Sequence, residues 1–160
     1  FYIAKSYHDT LGDNFPFGED HRKEFARRCI FYFEQYLYKV NPEYKENNLV
    51  SSTKDEFSYW CCCGIAAAYR WMGQIDKQIE WLNKSVEFCH DRNESYARLA
   101  EIYLERKHFS KALQCTKMLV DLNRKNPFPN LQFIIEDTAY YDTSEYPKEL
   151  HTKALRGLNG

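Results

Sequence analysis

The chain has 160 residues, 44% hydrophobic and 28% charged, and its 22 Lys and Arg against 23 Asp and Glu leave a formal net charge of -1. That length supports one domain with a core of its own. The balanced charge excludes the global field that would recruit nucleic acid or an anionic membrane, and the longest uncharged run, from Phe57 to Tyr69, is too short to cross a bilayer and lacks the flanks of a signal peptide.

The first predicted element is the helix FYIAKSYHDTLGDN, with Ala4 as a small contact residue, Tyr7 one turn later and Gly12 at the turn. NFPFGED is then a loop carrying Pro16 and Gly18. A long helix follows from about His21 to Val40, with Phe25, Cys29, Phe33, Tyr36 and Leu37 as its apolar stripe, and Asn41 and Pro42 end it. Glu43 to Asp55 is polar, contains KENN and SSTKD, and reads as a loop.

Beyond it an internal repeat emerges. IAAAYRWMGQIDKQIEWLNKSVEF, from Ile65, lies over LAEIYLERKHFSKALQCTKMLVDL, from Leu99, at an offset of 34, so that Ala66 meets Ala100, Tyr69 meets Tyr103, Ile75 meets Phe109, Ile79 meets Leu113 and Val86 meets Val120. Each copy reads as two helices joined by a tight turn. A small residue (Ala66, Ala100) lets the second helix approach and a tyrosine fills the gap beyond it. Gly73 sits where the first helix should end in a left-handed residue, and Lys107 holds the equivalent place, a departure that costs stability. Asp76 and Ser110 are the expected N-caps, with Ile79, Leu82, Val86 and Leu113, Leu119, Leu122 as the buried stripes.

After Arg124, KNPFPN forbids helix continuation. LQFII, Leu131 to Ile135, is a strand-like run or a strap, and EDTAYYDTSEYP leads into a last helix from about Pro147 to Leu158. The expected organisation is hairpins over 1–42, 56–91 and 93–126, a proline-containing link over 127–146, and the start of a further hairpin over 147–160. The opening at Phe1 within an apolar pattern, without a Met, suggests a piece of a longer protein.

The period and its residue pattern resemble tetratricopeptide repeats, which implies an all-α superhelix of antiparallel helical hairpins, about three of them plus a final helix. A second resemblance rests on the ends. FYIAKSYHDTLGDN is similar to the F-Y-L-A-Q-S-Y-x-D-x-G-D stretch that follows the catalytic domain in some family 2, nucleotide-sugar-dependent glycosyltransferases, through Phe1, Tyr2, Ala4, Ser6, Tyr7, Asp9, Gly12 and Asp13 with one insertion. NPFPNLQFIIEDTAYYDTSEYPKEL is similar to the segment after the hairpins in that family, with Ile134, Tyr141, Asp142 and Leu150 the nearest matches. The resemblance implies a non-catalytic C-terminal scaffold of such an enzyme; the alternative is a stand-alone adaptor that binds a partner protein or peptide. The long first turn, the insertion from Pro42 to Thr53 and Lys107 depart from the pattern, and no Asp-x-Asp string occurs.

No chemistry can be assembled from the remaining residues. Cys61, Cys62 and Cys63 are consecutive on a helix and point about 100° apart, so they read as small hydrophobes at a tight interface rather than as metal ligands. Their adjacency also prevents mutual bridging, which makes all six cysteines thiols and points to a cytoplasmic setting. His8, His21, His90, His108 and His151 contain no i, i+4 pair, and there is no nucleophile motif or Gly-rich phosphate loop, so neither a metal nor a cofactor is expected. The sequons at Asn83 and Asn93 read as coincidence, and the basic cluster Arg22, Lys23, Arg27, Arg28 as a solvated helix face.

The remaining candidate is the concave face of the hairpin stack, lined by the first helix of each hairpin. By position it takes Lys5, His8 and Asp9 from the first unit, Trp60, Cys63, Ala67, Arg70 and Trp71 from the second, and Glu94, Ala97, Glu101, Leu104 and Glu105 from the third. Ala67 and Glu101 stand where chaperone-binding arrays carry Asn, which disfavours a carboxylate clamp of that kind. The expected occupant is a protein or peptide, or the remainder of the chain itself, with self-association also open.

Overall fold

The computed structural model describes residues 4, 18–40, 56–125 and 145–159. All of their regular structure is helical: α1 (Glu19–Val40), α2 (Glu56–Trp71), α3 (Ile75–Phe88), α4 (Asn93–Glu105), α5 (Phe109–Lys125) and α6 (Tyr146–Asn159). The expected first helix, the polar loop and the proline-containing link fall outside the described residues, apart from Ala4, which is helical and fully buried. The chain forms two compact units, Phe1–His90 and Asp91–Gly160.

In the first unit α2 packs against both α1 and α3. α1 starts with Glu19 and Asp20 and ends with Lys39, charges that complement the helix dipole at both ends. It buries Ala26, Cys29, Ile30, Phe33 and Leu37, while Phe25 and Tyr36 are half-buried, so the core stripe is centred closer to Ile30 than expected. The Cys29 thiol donates to the Ala4 carbonyl at 3.8 Å. α2 is buried on most sides, through Tyr59, Cys61, Cys62, Ile65, Ala66 and Ala68. Gly64 faces the Phe33 ring so closely that even a Cβ there would collide with it, and this fixes the separation of α1 and α2.

In the second unit α5 packs against α4 and α6, and α6 also touches α4. Ala97, Ala100, Leu119, Tyr146 and Leu150 form its core, with Tyr96, Leu104 and Cys115 packed against them. Gly157 of α6 lies against the Phe109 ring as Gly64 lies against Phe33.

The two hairpins fold by one device. Gly73 and Lys107 both take the left-handed conformation, at φ 69° and 57°. In the first turn the Gly73 amide donates to the Arg70 carbonyl at 2.9 Å and the Gln74 amide to Tyr69 at 2.9 Å; in the second, Lys107 donates to Leu104 at 3.0 Å and His108 to Tyr103 at 2.7 Å. These paired bonds are a Schellman motif at each site. The next helix then opens at once, since the Gln74 carbonyl accepts from Gln78 and the His108 carbonyl from Ala112, each at 3.0 Å. Gln74 and His108 are therefore the capping positions, which corrects the assignment of Asp76 and Ser110: those residues lie inside the first turn, because the tight reversal leaves no residue between one helix's end and the next helix's cap.

The buried stripes also differ from expectation by one position. α3 buries Gln78, Trp81, Leu82 and Ser85, and α5 buries Ala112, Thr116 and Leu119, whereas Ile79, Val86, Leu113 and Leu122 are only half-buried. Two of the polar residues satisfy themselves: the Ser85 hydroxyl donates to the Leu82 carbonyl at 2.7 Å, and Thr116 to Leu113 at 3.1 Å. Small hydroxyl side chains can thus occupy a helix contact otherwise suited to alanine.

Two measurements test this register. Because the left-handed region disfavours residues with a Cβ, Lys107→Gly is expected to stabilise the fold by roughly 0.5–1 kcal/mol and Gly73→Lys to destabilise it by about 1–2 kcal/mol, read as opposite shifts of the urea midpoint. Ala66 and Ala100 are 1% and 0% exposed. Leucine at either should therefore overpack the crossing and lower the midpoint by an equivalent of about 1–3 kcal/mol, and unchanged stability in both variants would remove the proposed contact.

Candidate functional site

α2 carries one charged residue in its last turn, Arg70, and between Phe57 and Trp71 no other. The five candidate residues on it, Trp60, Cys63, Ala67, Arg70 and Trp71, are all half-buried, whereas their neighbours Cys61, Cys62, Ile65, Ala66 and Ala68 are buried. The spacing of about 3.6 residues puts the five along one side of the helix. The row is aromatic and apolar for most of its length, with a cation at its C-terminal end.

A second cation reaches that end from α1. The Arg22 guanidinium lies 4.8 Å from the Trp71 ring centroid and that of Arg70 lies 5.3 Å from it, both over the ring. The other cationic residues of α1 pair locally. Lys23 meets Glu19 at 3.0 Å, and Glu24 receives Arg28 at 3.0 Å and Arg27 at 3.5 Å. Hydrogen bonds from Lys23 and Arg28 hold the Glu19 and Glu24 carboxyls below the usual carboxylate range. Three of the four basic residues thus have an acidic neighbour on their own helix, and Arg22 is distinguished by its indole contact.

A cation also sits on the repeated tyrosine of each hairpin. Lys77 Nζ is 5.2 Å from the Tyr69 ring centroid, and Lys111 Nζ is 5.5 Å from that of Tyr103. Both pairs join the last turn of one helix to the first turn of the next, across the Schellman turn. On α3, Lys84 pairs with Glu80 at 2.8 Å and lies 4.2 Å over Trp81. Glu34 of α1 is half-buried close to this group. Burial raises its carboxyl above the ordinary 4.5, against the pull of Lys84 and Lys77. Burial likewise raises the Tyr69 phenol, with Glu34 and Glu80 adding to the shift.

In the second unit α6 occupies part of the candidate row on α4. Ala97 is in the core with Tyr146 and Leu150, Leu104 packs against that core, and Glu94 is buried. Glu101 is held through both oxygens, one accepting from the Tyr146 hydroxyl and the other from Arg98 at 2.7 Å. Glu105 is exposed. Lys5, His8 and Asp9 lie outside the described residues.

The chemistry of these side chains is that of contact. Among the described residues no three His, Cys, Asp or Glu side chains gather as they would to hold a metal ion, and no helix is long and apolar enough to cross a membrane. All six cysteines are thiols. Cys115 is half-buried among apolar groups that push its thiol up to about 11, which makes it a poor nucleophile at neutral pH. His151 Nδ1 and the Thr116 hydroxyl are 3.0 Å apart; since that hydroxyl donates to Leu113, the ring nitrogen is the donor, and the pair fastens α6 to α5. Asn83 of the first sequon is bonded to the Ile79 carbonyl at 2.9 Å within α3, a helical setting unlike the surface loop a glycosylation site needs.

Position in the repeat led to the α2 row, but two contacts had no signal in it. Arg22 is an ordinary member of a basic cluster until the fold brings it to Trp71, and Tyr146 precedes the expected start of α6. Neither the family models of known proteins nor the curated proteins match this chain.

The raised Glu34 carboxyl gives a pH test. A carboxyl whose folded pKa exceeds its unfolded value opposes folding once it ionises: the penalty is absent below the unfolded pKa and is complete above the folded one. Glu34→Gln should therefore stabilise the protein at pH 7, and the gain over the native chain should vanish as pH falls below about 4.5, in thermal melts of both proteins. An equal gain at both ends of the range would show that the carboxylate charge is not its cause.

Proposed function

We propose that this chain is a non-catalytic scaffold of tetratricopeptide-like hairpins whose work is to hold a protein or peptide, or the remainder of its own polypeptide. The observation that carries this reading is the recurrence, 34 residues apart, of the Schellman turn with its left-handed residue and of the tyrosine capped by a lysine. A hairpin repeated with its turn chemistry intact is a stacking unit, and stacked units present extended surfaces rather than closed reaction sites. The half-buried row on α2 is the surface best suited to that use, since Trp60 and Trp71 are the kind of aromatic anchor around which binding energy concentrates. The likeness of its ends to the tail of family 2 glycosyltransferases supports a place at the C-terminal side of such an enzyme, where the hairpins would stiffen it, pair subunits or hold it near its acceptor.

The stand-alone adaptor is the second reading, and α6 bears on it. By bonding Tyr146 to Glu101 and burying Ala97, the chain fills part of one candidate surface with its own helix, which favours use as an internal brace in the second unit and leaves the α2 row as the docking face.

Transfer from a nucleotide sugar needs a site that neutralises the departing diphosphate and a base for the acceptor hydroxyl. Glu101 and Glu105, the one i, i+4 acidic pair on α4, are divided between a Tyr146–Arg98 clasp and solvent. Calorimetric titration of the chain with uridine and guanosine diphosphate sugars plus manganese is expected to show no saturable binding. Micromolar binding abolished by Glu101→Gln or Glu105→Gln would overturn the scaffold reading.

A further inference from the structure

The geometry points to an anion seat at the C-terminal end of α2, built from Arg22, Arg70 and Trp71, which takes a carboxylate of an acidic segment in a partner protein while Trp60 and Ala67 take that segment's apolar side chains. It rests on the scaffold reading and names the chemistry of the partner. Two guanidinium groups lie over one indole, at 4.8 and 5.3 Å from its centroid, and they come from different helices. Like charges repel, so two cations converging on one neutral ring form a position where an incoming anion relieves repulsion as well as forming bonds. Stacking fixes the guanidinium planes without using their N–H groups. Each guanidinium carries five donors in a rigid fork, so other contacts of the same side chain leave donors over for a bidentate carboxylate.

Charge complementarity selects the occupant. No acidic residue lies between Phe57 and Trp71 on α2, and the nearest acids on α1, Glu19 and Glu24, are paired with Lys23, Arg27 and Arg28. The seat therefore presents positive charge at one end of an aromatic and apolar row. A nucleic acid would need cations repeated along its backbone, which this row lacks. An acidic peptide with alternating apolar residues needs one such charged end and an apolar track, which are both here.

The test uses the full chain labelled with nitrogen-15, following the arginine Nε–H and tryptophan Nε1–H signals during titration. The probes are a short synthetic peptide of alternating leucine and glutamate, its glutamine counterpart, and inorganic phosphate alone. The expected result is saturable movement of the Arg22, Arg70, Trp71 and Trp60 signals with the glutamate peptide, and binding at least about tenfold weaker for the glutamine peptide. R22Q and R70Q should each weaken binding of the glutamate peptide by about tenfold, R22K should weaken it less, and R27Q should leave it unchanged. R22K keeps the charge, so it tests the seat even if R22Q fails to fold.

Equal response to both peptides, retained affinity in R22Q and R70Q, or no movement of the arginine signals would overturn the seat. So would phosphate moving all four signals as the peptide does, since that outcome marks a simple anion site. If the glutamate peptide binds elsewhere on the chain, the scaffold reading stands and the seat falls; the nucleotide-sugar titration tests that reading separately.

Discussion

Everything in the two hairpins depends on reversing the chain within the span of a single capped turn. A helix end leaves carbonyl groups without partners, and a sharp reversal would bury some of them. The Schellman geometry resolves this by aiming the next two amides back at those carbonyls, and it demands one left-handed residue. Once Gly73 and Lys107 adopt that conformation, the following residue is already the cap of the next helix, so the second helix is directed back along the first. Side-chain packing then decides only how closely the two approach, through Ala66 and Ala100. The lysine placed over the tyrosine ring on each turn adds a clasp between the helices it joins.

Much of this was legible in the sequence because it concerns spacing and backbone need. The period of 34 predicted which residues would be equivalent, and Gly73 announced the left-handed position that Lys107 then had to share. The buried stripes were less legible. A hydropathy pattern favours Ile79 and Val86 over Gln78 and Ser85, whereas the fold buries the second pair. The reason is that size at the crossing outweighs polarity when a hydroxyl can bond its own helix, as Ser85 and Thr116 do. Gln78 is the costlier case: it is 2% exposed and its Oε1 accepts no hydrogen bond, at the position where the second hairpin has Ala112. Positional equivalence was informative there and polarity alone was misleading.

The candidate site shows the same division. Equivalence within the repeat identified the α2 row as a coherent half-buried side, but said nothing of what comes from other helices. Arg22 reaches Trp71 through packing of α1 on α2, and Tyr146 reaches Glu101 through packing of α6 on α4. These contacts join residues far apart in sequence, and a periodic pattern within one hairpin has no way to register them. They also alter meaning: Glu101, an open surface residue by position, becomes a fastening point, while Arg22 passes from a solvated cluster to an aromatic contact.

The substitution of lysine for glycine at the second turn divides the hairpins in their dynamics. A left-handed residue with a Cβ holds about 1 kcal/mol of conformational energy that opening releases, so the reversal at Lys107 is the easier of the two to unlatch locally. Transient openings are drawn from such weak points rather than from the core. The protein thus contains two hairpins of one design with different breathing rates, the slower around Gly73 and the faster around Lys107, and native-state amide exchange at Gln74 and His108 is the direct gauge of that inequality.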